Sequence, residues 1–218
     1  MKKYIEALII CNNYSDFLEY TLPQSHIIFD HLVIVTSPED KRTHQLCKSY
    51  EKVTCVITEN FRKYERDYDK ESGMNYGFNF LNLKGWVYNL DADIYLPTRM
   101  RNFLEKEKLR KDTIYGFPRR ICESKSEFLK NKDIQSYRKT NKISLFPGGY
   151  SQLYWAKKNK ILNKKEIFKE NIEITRETSS PDMIFASLFK YICIFHDMPV
   201  LHLGPFGPFN WKGRVTEQ

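Results

Sequence analysis

Apolar residues form short continuous runs through the first half of the chain, and polar residues end each run. Four runs have the length of a strand and are rich in Val, Ile, Tyr and Cys: residues 4–11, 31–36, 53–58 and 86–92. Continuous runs, as opposed to alternating ones, are typical of strands that are covered on both faces. The pattern therefore predicts four buried strands of a mainly parallel sheet.

Helix-like segments separate these runs. The first covers 15–29, with Ser15 as its predicted N-cap; the second begins at the Ser-Pro pair 37–38; and the third, 73–82, precedes the fourth strand. Strands that alternate with helices predict a doubly wound α/β fold. In such folds, ligands bind beyond the carboxyl ends of the strands.

The second half of the chain is more polar and less regular. A basic helix is predicted near 98–111, and a late apolar run, residues 199–204, has the character of a strand. With 218 residues the chain is expected to form one domain. We expect this domain to have two halves, 1–97 and 98–218.

Composition narrows the binding partners and the cellular compartment that are expected for the protein. The net charge of +8 predicts an anionic partner, which a nucleotide, a nucleic acid, a phosphorylated glycolipid or a membrane surface would satisfy. The five cysteines form no C-x-x-C pair, which favours a reducing compartment and no zinc site. The apolar N-terminal run is too short for a signal peptide, and no stretch is expected to span a bilayer. A cytoplasmic location is therefore predicted.

Two acids follow the fourth strand, Asp91 and Asp93. In an extended chain their side chains point the same way, about 6–7 Å apart along the backbone. A divalent cation would remove their mutual repulsion, and carboxylate oxygens suit Mg²⁺ or Mn²⁺. A solvated strand end that begins a turn is the alternative interpretation.

Residues near the C-terminus extend this hypothesis. His202 would complete an O,O,N site and favour Mn²⁺ over Mg²⁺, although a histidine there is also compatible with a packed strand end. The Gly- and Pro-rich segment 204–214 carries Lys212 and Arg214, which would neutralise a metal-bound diphosphate if the segment closes over it. A frayed basic terminus is the alternative.

Other candidates have simpler explanations beside the functional ones. Asp182 follows Ser180 and Pro181, so it belongs to a first helical turn, where an acid is favoured by the helix dipole alone. The segment 146–155 offers Tyr150 or Trp155 to stack on a sugar or base, although a plain turn explains its glycines nearly as well. The sequence contains no phosphate-binding P-loop, no G-x-S-x-G and no H-E-x-x-H, which disfavours serine hydrolases and zinc enzymes.

With these motifs placed, the chain resembles the GT-A-fold glycosyltransferases, especially the small family 2-like enzymes of bacteria and viruses. The similarity lies in the order of the parts over nearly the whole length: the strand, Asn-rich turn and helix of 7–22, the strand end at 32–40, the Asn-x-Gly helix and Asp-x-Asp strand of 72–97, the Gly-aromatic segment 146–155, the acid of 179–183 and the late His and loop of 200–214. If the source is viral, the implied location is the host cytoplasm.

The resemblance implies a role for each matching residue. Asp93 would bind the metal directly, Asp91 would contact the ribose or a metal-bound water, and His202 would be a further ligand. Asp182 would be the base that deprotonates the acceptor in an inverting displacement. The remaining donor contacts would come from Thr36, Lys70, Asn75, Lys212 and Arg214.

Two positions depart from the family pattern. Thr36 and Ser37 occupy the place where many relatives have acids that recognise the base, which puts uracil specificity in question. Pro181 replaces the acid that usually precedes the catalytic one, which weakens both the base assignment and the choice between inversion and retention.

The sequence thus predicts a metal-dependent glycosyltransferase that moves a sugar from a UDP sugar to a hydroxyl acceptor, by expectation a glycan. In this interpretation 1–97 binds the nucleotide sugar and 98–218 binds the acceptor. The positive charge leaves open a DNA acceptor with a modified base. A non-catalytic basic nucleic-acid-binding module and a nucleotidyltransferase are the rivals, although the latter should have glycines near the first strand, which residues 8–17 lack.

Overall fold

The computed structural model of the chain describes residues 2–59, 70–139, 151–156 and 185–204. The strands in these ranges are β1 Ile5–Ile10, β2 His31–Thr36, β3 Val53–Ile57, β4 Trp86–Asp91, β5 Ile94–Tyr95, β6 Thr113–Gly116, β7 Arg119–Cys122, β8 Arg138–Lys139, β9 Ser151–Trp155, β10 Tyr191–Ile194 and β11 Val200–Leu203. The helices are α1 Ser15–Ile28, α2 Lys41–Lys48, α3 Lys70–Phe78, α4 Met100–Lys106 and α5 Lys125–Lys130.

Seven strands form the central sheet in the order β10-β6-β9-β4-β1-β2-β3. Strand β1 is parallel to both β2 and β4, β2 is parallel to β3, and β10 is parallel to β6. Strand β9 is antiparallel to its two neighbours. The predicted α/β fold with a mainly parallel sheet is therefore confirmed, and β1 to β4 lie within one residue of the predicted runs.

A smaller sheet of four strands, in the order β5-β11-β7-β8, continues from the end of β4. Strand β11 is antiparallel to β5 and parallel to β7. This sheet matters for the site because it brings the late strand that contains His202 beside the chain that follows Asp91.

Alternate residues of β1 enter two hydrophobic clusters on opposite faces of the central sheet. Ile5, Ala7 and Ile9 pack in one cluster with α1, whereas Leu8 and Ile10 pack in the other with α3. Both faces are covered, which explains why the strand is apolar without alternation.

Some predicted boundaries were wrong. Ser15 is the first residue of α1, and the N-cap is Tyr14, which makes no side-chain cap hydrogen bond. Asp40, not the Ser-Pro pair, caps α2 through a hydrogen bond from the backbone N–H of Thr43. Helix α4 ends at Lys106 and not near 111, because the backbone is extended from Glu107 and the chain turns back towards the core.

Among the described residues, none of the helices combines the length and the hydropathy needed to span a membrane.

Candidate active site

The carboxyl ends of β1 and β4 define the candidate site. From β1 the chain adds β2 and β3 on one side of the sheet and then places β4 on the other side, so β1 and β4 flank a topological switch point. Open α/β sheets bind ligands at such a point. The register pairs Ile10 with Asp91, so the residues after Ile10 emerge beside the first acid of the pair.

The loop after β1 is held by one buried carboxylate, Asp40. This carboxylate accepts hydrogen bonds from the Asn13 backbone N–H at 2.9 Å, the Thr36 hydroxyl at 3.1 Å and the Thr43 hydroxyl at 2.6 Å. Asn13 has a φ of 59°, a conformation that Asn tolerates better than most residues. Asp40 therefore fixes the loop after β1, the end of β2 and the start of α2 relative to one another.

The neighbouring Asn12 is a further candidate that the sequence indicated only as part of an Asn-rich turn. Its Oδ1 atom is buried and has no hydrogen-bond partner among the described residues. A buried acceptor of this kind is costly unless something donates to it. Asn12 is thus a candidate ligand contact at the carboxyl edge of β1.

The chain turns between the two acids. Strand β4 ends at Asp91, Ala92 and Asp93 form a turn, and β5 then begins in the smaller sheet. The buried Thr21 hydroxyl donates to the Ala92 carbonyl at 2.7 Å, and the Leu203 backbone N–H donates to the Asp93 carbonyl at 2.8 Å. The extended geometry predicted for these acids is therefore wrong, because α1 and β11 bind the backbone in a turn.

As a result, the two acids have different neighbours. Lys70, the first residue of α3, donates from Nζ to Asp91 Oδ1 at 2.5 Å. Asp93 instead faces His202, with 3.4 Å between Asp93 Oδ2 and His202 Nε2. All three residues predicted for metal binding therefore lie at one end of the sheet: Asp91 contacts Lys70, and Asp93 contacts His202.

The hydrogen bonds of His202 set its tautomer. Nδ1 lies 3.1 Å from the Gly204 carbonyl, which can only accept, so Nδ1 carries a proton. In the neutral ring the lone pair is then on Nε2 and points to the Asp93 carboxylate. Burial lowers the pKa of His202 and Arg119 lowers it further, but the charge and hydrogen bond of Asp93, together with the Gly204 carbonyl, outweigh them, so the pKa is raised above its ordinary value.

These features fit a cation between Asp93 and His202. Asp93 Oδ1 is buried and has no hydrogen-bond partner in the described ranges, although a carboxylate oxygen is a preferred ligand of Mg²⁺ and Mn²⁺. A histidine that donates its second N–H to a carbonyl is also the usual arrangement of a metal-binding imidazole. Within the described residues, however, no three His, Cys, Asp or Glu side chains form a group that could hold a metal.

Arg119 was missed at the sequence level. Its guanidinium lies near enough to His202 to oppose the rise in its pKa. The register of β11 and β7 pairs Val200 with Arg119 and His202 with Ile121, which places Arg119 on the same face of the sheet as the imidazole. The Arg-Arg pair after Pro118 was the available signal, but its partner strand could not be known.

Other predicted residues have different positions. Thr36 is fully buried, and its hydroxyl donates a hydrogen bond to Asp40. Asn75 is half-buried on α3. Trp155 pairs with Trp86 at the opposite end of β4 from Asp91, which places it away from the two acids. Tyr150, Asp182, Lys212 and Arg214 lie outside the described residues.

A pocket of about 350 Å³ opens beside β5, on the side of the smaller sheet. Its wall includes Tyr95, two residues beyond Asp93, and the basic side chains of Arg99 and Lys132. The pocket is therefore close to the candidate site along the chain and has aromatic and cationic surfaces.

Comparison with solved structures identifies the fold. S. aureus TarS 1-349 matches with a TM-score of 0.63 and 12% identity, over 91% of this chain and 60% of that chain. A 4-diphosphocytidyl-2C-methyl-D-erythritol synthase matches with a TM-score of 0.57 and 16% identity, over 94% of both chains. The galactosyltransferase LgtC, in complex with donor and acceptor sugar analogs, matches with a TM-score of 0.51 and 10% identity, over 97% of this chain and 91% of that chain.

No protein-family model and no curated protein matches the sequence. The chain spans about three fifths of the TarS structure, and the identities are low enough that these similarities concern the fold alone. The solved structures include both GT-A-type glycosyltransferases and nucleotidyltransferases. The chain therefore has a GT-A-like α/β fold, which is the fold that the order of its motifs predicted.

Proposed function

We propose that this protein is a glycosyltransferase that uses a nucleotide-sugar donor and a divalent cation. One observation carries the proposal: Asp93 has a buried Oδ1 atom with no hydrogen-bond partner among the described residues, and its Oδ2 atom faces the Nε2 atom of His202 at the switch point of the sheet. Asp93 Oδ2 and the neutral His202 Nε2 both present lone pairs to one another. This arrangement is stabilised either by a cation between the two atoms or by a proton on the imidazole.

Asp93 and His202 are the residues that would hold the cation, with open positions left for donor oxygens, as is usual for Mg²⁺ and Mn²⁺ sites. When bound, the cation would neutralise the charge that develops on the departing nucleoside diphosphate. Asp91 would accept a hydrogen bond from a ribose hydroxyl or a metal-bound water, and Lys70 holds this carboxylate in place. Arg119 would add positive charge beside the diphosphate.

Other residues would bind the nucleoside, take the acceptor proton and neutralise the leaving group. Asn12 would accept a hydrogen bond from the nucleoside at the end of β1, where its Oδ1 atom is buried. Asp182, which lies outside the described residues, would take the proton of the acceptor hydroxyl in an inverting displacement. Lys212 and Arg214 would neutralise the leaving diphosphate. The pocket beside Tyr95 is the place where we expect part of the acceptor.

The donor is expected to be a UDP sugar and the acceptor a glycan, with a modified DNA base as the alternative acceptor that the net charge of +8 allows. The acceptor panel should therefore contain oligosaccharides, DNA with hydroxymethylated bases and unmodified DNA. Transfer to the modified DNA alone would select the alternative acceptor and keep the enzyme class.

The test is a panel of nucleotide sugars with Mn²⁺ or Mg²⁺, in which slow release of nucleoside diphosphate without acceptor is measured. We expect one donor to be hydrolysed, with loss of activity on chelation of the metal and in Asp93→Asn. Asp112→Asn is the matched control, because this acid precedes β6 and is bound to Arg110. Full, metal-independent turnover in Asp93→Asn would contradict the metal assignment.

A nucleotidyltransferase is the second candidate, because such an enzyme matches over 94% of both chains. Incubation with a nucleoside triphosphate and a sugar phosphate tests it through release of pyrophosphate. Release of pyrophosphate without any hydrolysis of a nucleotide sugar would show that the protein is a nucleotidyltransferase and would contradict our proposal. Metal-independent binding of nucleic acid, with neither reaction, would instead indicate a non-catalytic module.

A further inference from the structure

Two cysteines meet where α2 packs on β3. Cys47 and Thr43 are the buried residues of α2 and lie one helical turn apart, so Cys47 faces the sheet. Cys55 pairs with Ile34 across β2 and β3, and Cys55, Ile34 and Cys47 all belong to the same hydrophobic cluster. The two side chains lie close enough for each to shift the pKa of the other.

We propose that Cys47 and Cys55 form a reversible disulfide when the protein meets a peroxide, so that α2 becomes covalently linked to β3. This inference goes beyond the proposed function and does not depend on it. The cysteine content of the sequence is compatible with it, because disulfides in a reducing compartment are usually transient.

The two sulfur atoms are chemically unlike, which assigns their roles. The interaction between the two side chains raises the pKa of Cys47, as burial also does, and it lowers the pKa of Cys55. Cys55 is also half-buried, whereas Cys47 is only 3% exposed. Cys55 is therefore the thiolate that an oxidant reaches, and Cys47 is the thiol that resolves the product.

The reaction balances with one peroxide per pair. The Cys55 thiolate attacks one oxygen of hydrogen peroxide, the O–O bond breaks, and hydroxide leaves, so that Cys55 becomes a sulfenic acid. The Cys47 sulfur then attacks the Cys55 sulfur, the S–O bond breaks, and water leaves with the Cys47 proton. In sum, two thiols and one hydrogen peroxide give one disulfide and two molecules of water.

The other three cysteines are poorly suited to compete. Burial raises the pKa of Cys11 and of Cys193, and it raises the pKa of Cys122 to about 11. The Cys11 thiol lies 3.3 Å from the Thr43 hydroxyl, and the Cys122 thiol donates to the Ser124 carbonyl. Cys193 belongs to β10, at the opposite edge of the sheet from β3.

Peptide mapping tests the proposal on the intact chain. The protein is treated with a stoichiometric amount of hydrogen peroxide, free thiols are blocked with an alkylating agent, and the chain is digested with trypsin. Because Lys48 and Lys52 separate the two cysteines, a disulfide would join the peptides 43–48 and 53–62. We expect this linked pair as the main product and expect dithiothreitol to reverse it.

Variants distinguish the two roles. In Cys47→Ser we expect a Cys55 sulfenic acid that dimedone traps, whereas in Cys55→Ser we expect Cys47 to stay reduced. Cys193→Ser is the matched control and should give the same linked peptides as the wild type. If the Cys47 or Cys55 variant fails to fold, the wild-type map and the Cys193→Ser map still decide the outcome.

A thermal shift gives an independent readout. The ring closed by the disulfide is short, so we expect oxidation to raise Tm by about 5 °C in wild type and not in Cys47→Ser. A Cys11–Cys47 linkage, a linkage between two chains, or a Cys55 that is oxidised to the sulfinic acid without any linkage would each overturn the proposal.

Discussion

Lys70 donates to Asp91 at 2.5 Å and thereby joins the first residue of α3 to the last residue of β4. Both side chains are about one-third exposed, at 28% and 32%, so the pair lies at the surface and not in the core. A pair in this position contributes little to stability, because solvent screens it. Its value is expected in binding, where Lys70 reduces the negative charge that Asp91 and Asp93 present to a diphosphate.

We therefore expect Lys70→Met to raise the KM for the nucleotide sugar about tenfold, as a loss of roughly 1.4 kcal/mol of electrostatic stabilisation would do. Lys70→Arg should recover most of the affinity because it keeps the charge. Steady-state hydrolysis of the donor measures this effect. Lys84→Met, which removes a lysine near the amino end of β4, is the control, and a KM shared by all three variants and the wild type would contradict the prediction.

The second prediction concerns His202, whose Nε2 atom faces Asp93. His202→Gln should weaken Mn²⁺ binding 10- to 100-fold while the protein stays folded, because the imidazole is lost and Gln offers a poorer ligand. Electron paramagnetic resonance of free Mn²⁺ measures the binding without any substrate. His196→Gln, at an exposed loop position, should bind the metal like the wild type. Equal affinity in both variants would remove His202 from the site.

Asn12 offers a third test, because an unsatisfied buried acceptor opposes folding. Its Oδ1 atom costs about 1–3 kcal/mol if nothing donates to it. Asn12→Ala should therefore leave Tm unchanged or raise it, while the affinity for the nucleotide falls. Calorimetric titration with the nucleoside diphosphate and a thermal melt give the two numbers. A variant that is less stable yet binds normally would show that Asn12 has only a structural role.

The sequence was most informative where one local property decided the structure. The bounds of strands β1 to β4 were predicted within one residue. These strands are buried by hydrophobic clusters on both faces, so each apolar run ends where the buried part of the strand ends. The positions of the antiparallel strand β9 and of the smaller sheet could not be predicted, because strand order is set by contacts between distant segments. For the same reason, no local pattern could indicate that Lys70 pairs with Asp91 or that Arg119 lies near His202.

The turn at Ala92 shows the limit of local pattern most clearly. The sequence after β4 is compatible with an extended strand, and that assumption placed Asp91 and Asp93 on one side. The Thr21 hydroxyl and the Leu203 backbone N–H bind this backbone from elements about 70 and 110 residues away along the chain, which is the kind of non-local constraint that no local propensity contains.

A fourth prediction explains the glycine of the Asn-x-Gly segment. A Cβ atom on Gly77 would lie 2.5 Å from Val35 Cγ2 and 2.6 Å from Leu8 Cδ1, because α3 packs directly on β1 and β2. On an exposed helix, Gly→Ala would stabilise by about 1 kcal/mol, but overpacking a core costs about 1–3 kcal/mol. We expect the steric effect to dominate and Gly77→Ala to lower the free energy of unfolding, as measured by urea denaturation. A more stable variant would mean that the contact relaxes freely.

The last prediction concerns Glu6, a fully buried carboxylate in β1 at the opposite end of the sheet from the site. Its oxygens accept hydrogen bonds from His31 Nδ1 at 3.0 Å, the Asn82 backbone N–H at 2.7 Å and the Leu83 backbone N–H at 2.8 Å. Leu83 has a φ of 50°, which is unfavourable for a bulky residue, so Glu6 holds a strained turn in place. Glu6→Gln puts an NH₂ group against one of these donors and should cost about 2 kcal/mol.

This cost should depend on pH with a defined sign. Burial alone would raise the pKa of Glu6, but the hydrogen bonds from His31 and Asn82 outweigh it and lower the pKa below its ordinary value of 4.5. The stabilisation is therefore fully present above pH 4.5 and is lost as the pH falls through the folded-state pKa. Urea midpoints of wild type and Glu6→Gln should thus differ at neutral pH and converge in acid. Glu123→Gln, which breaks an exposed ion pair with Arg138, should show no such convergence, and a gap in Glu6→Gln that persists or widens in acid would refute the assignment.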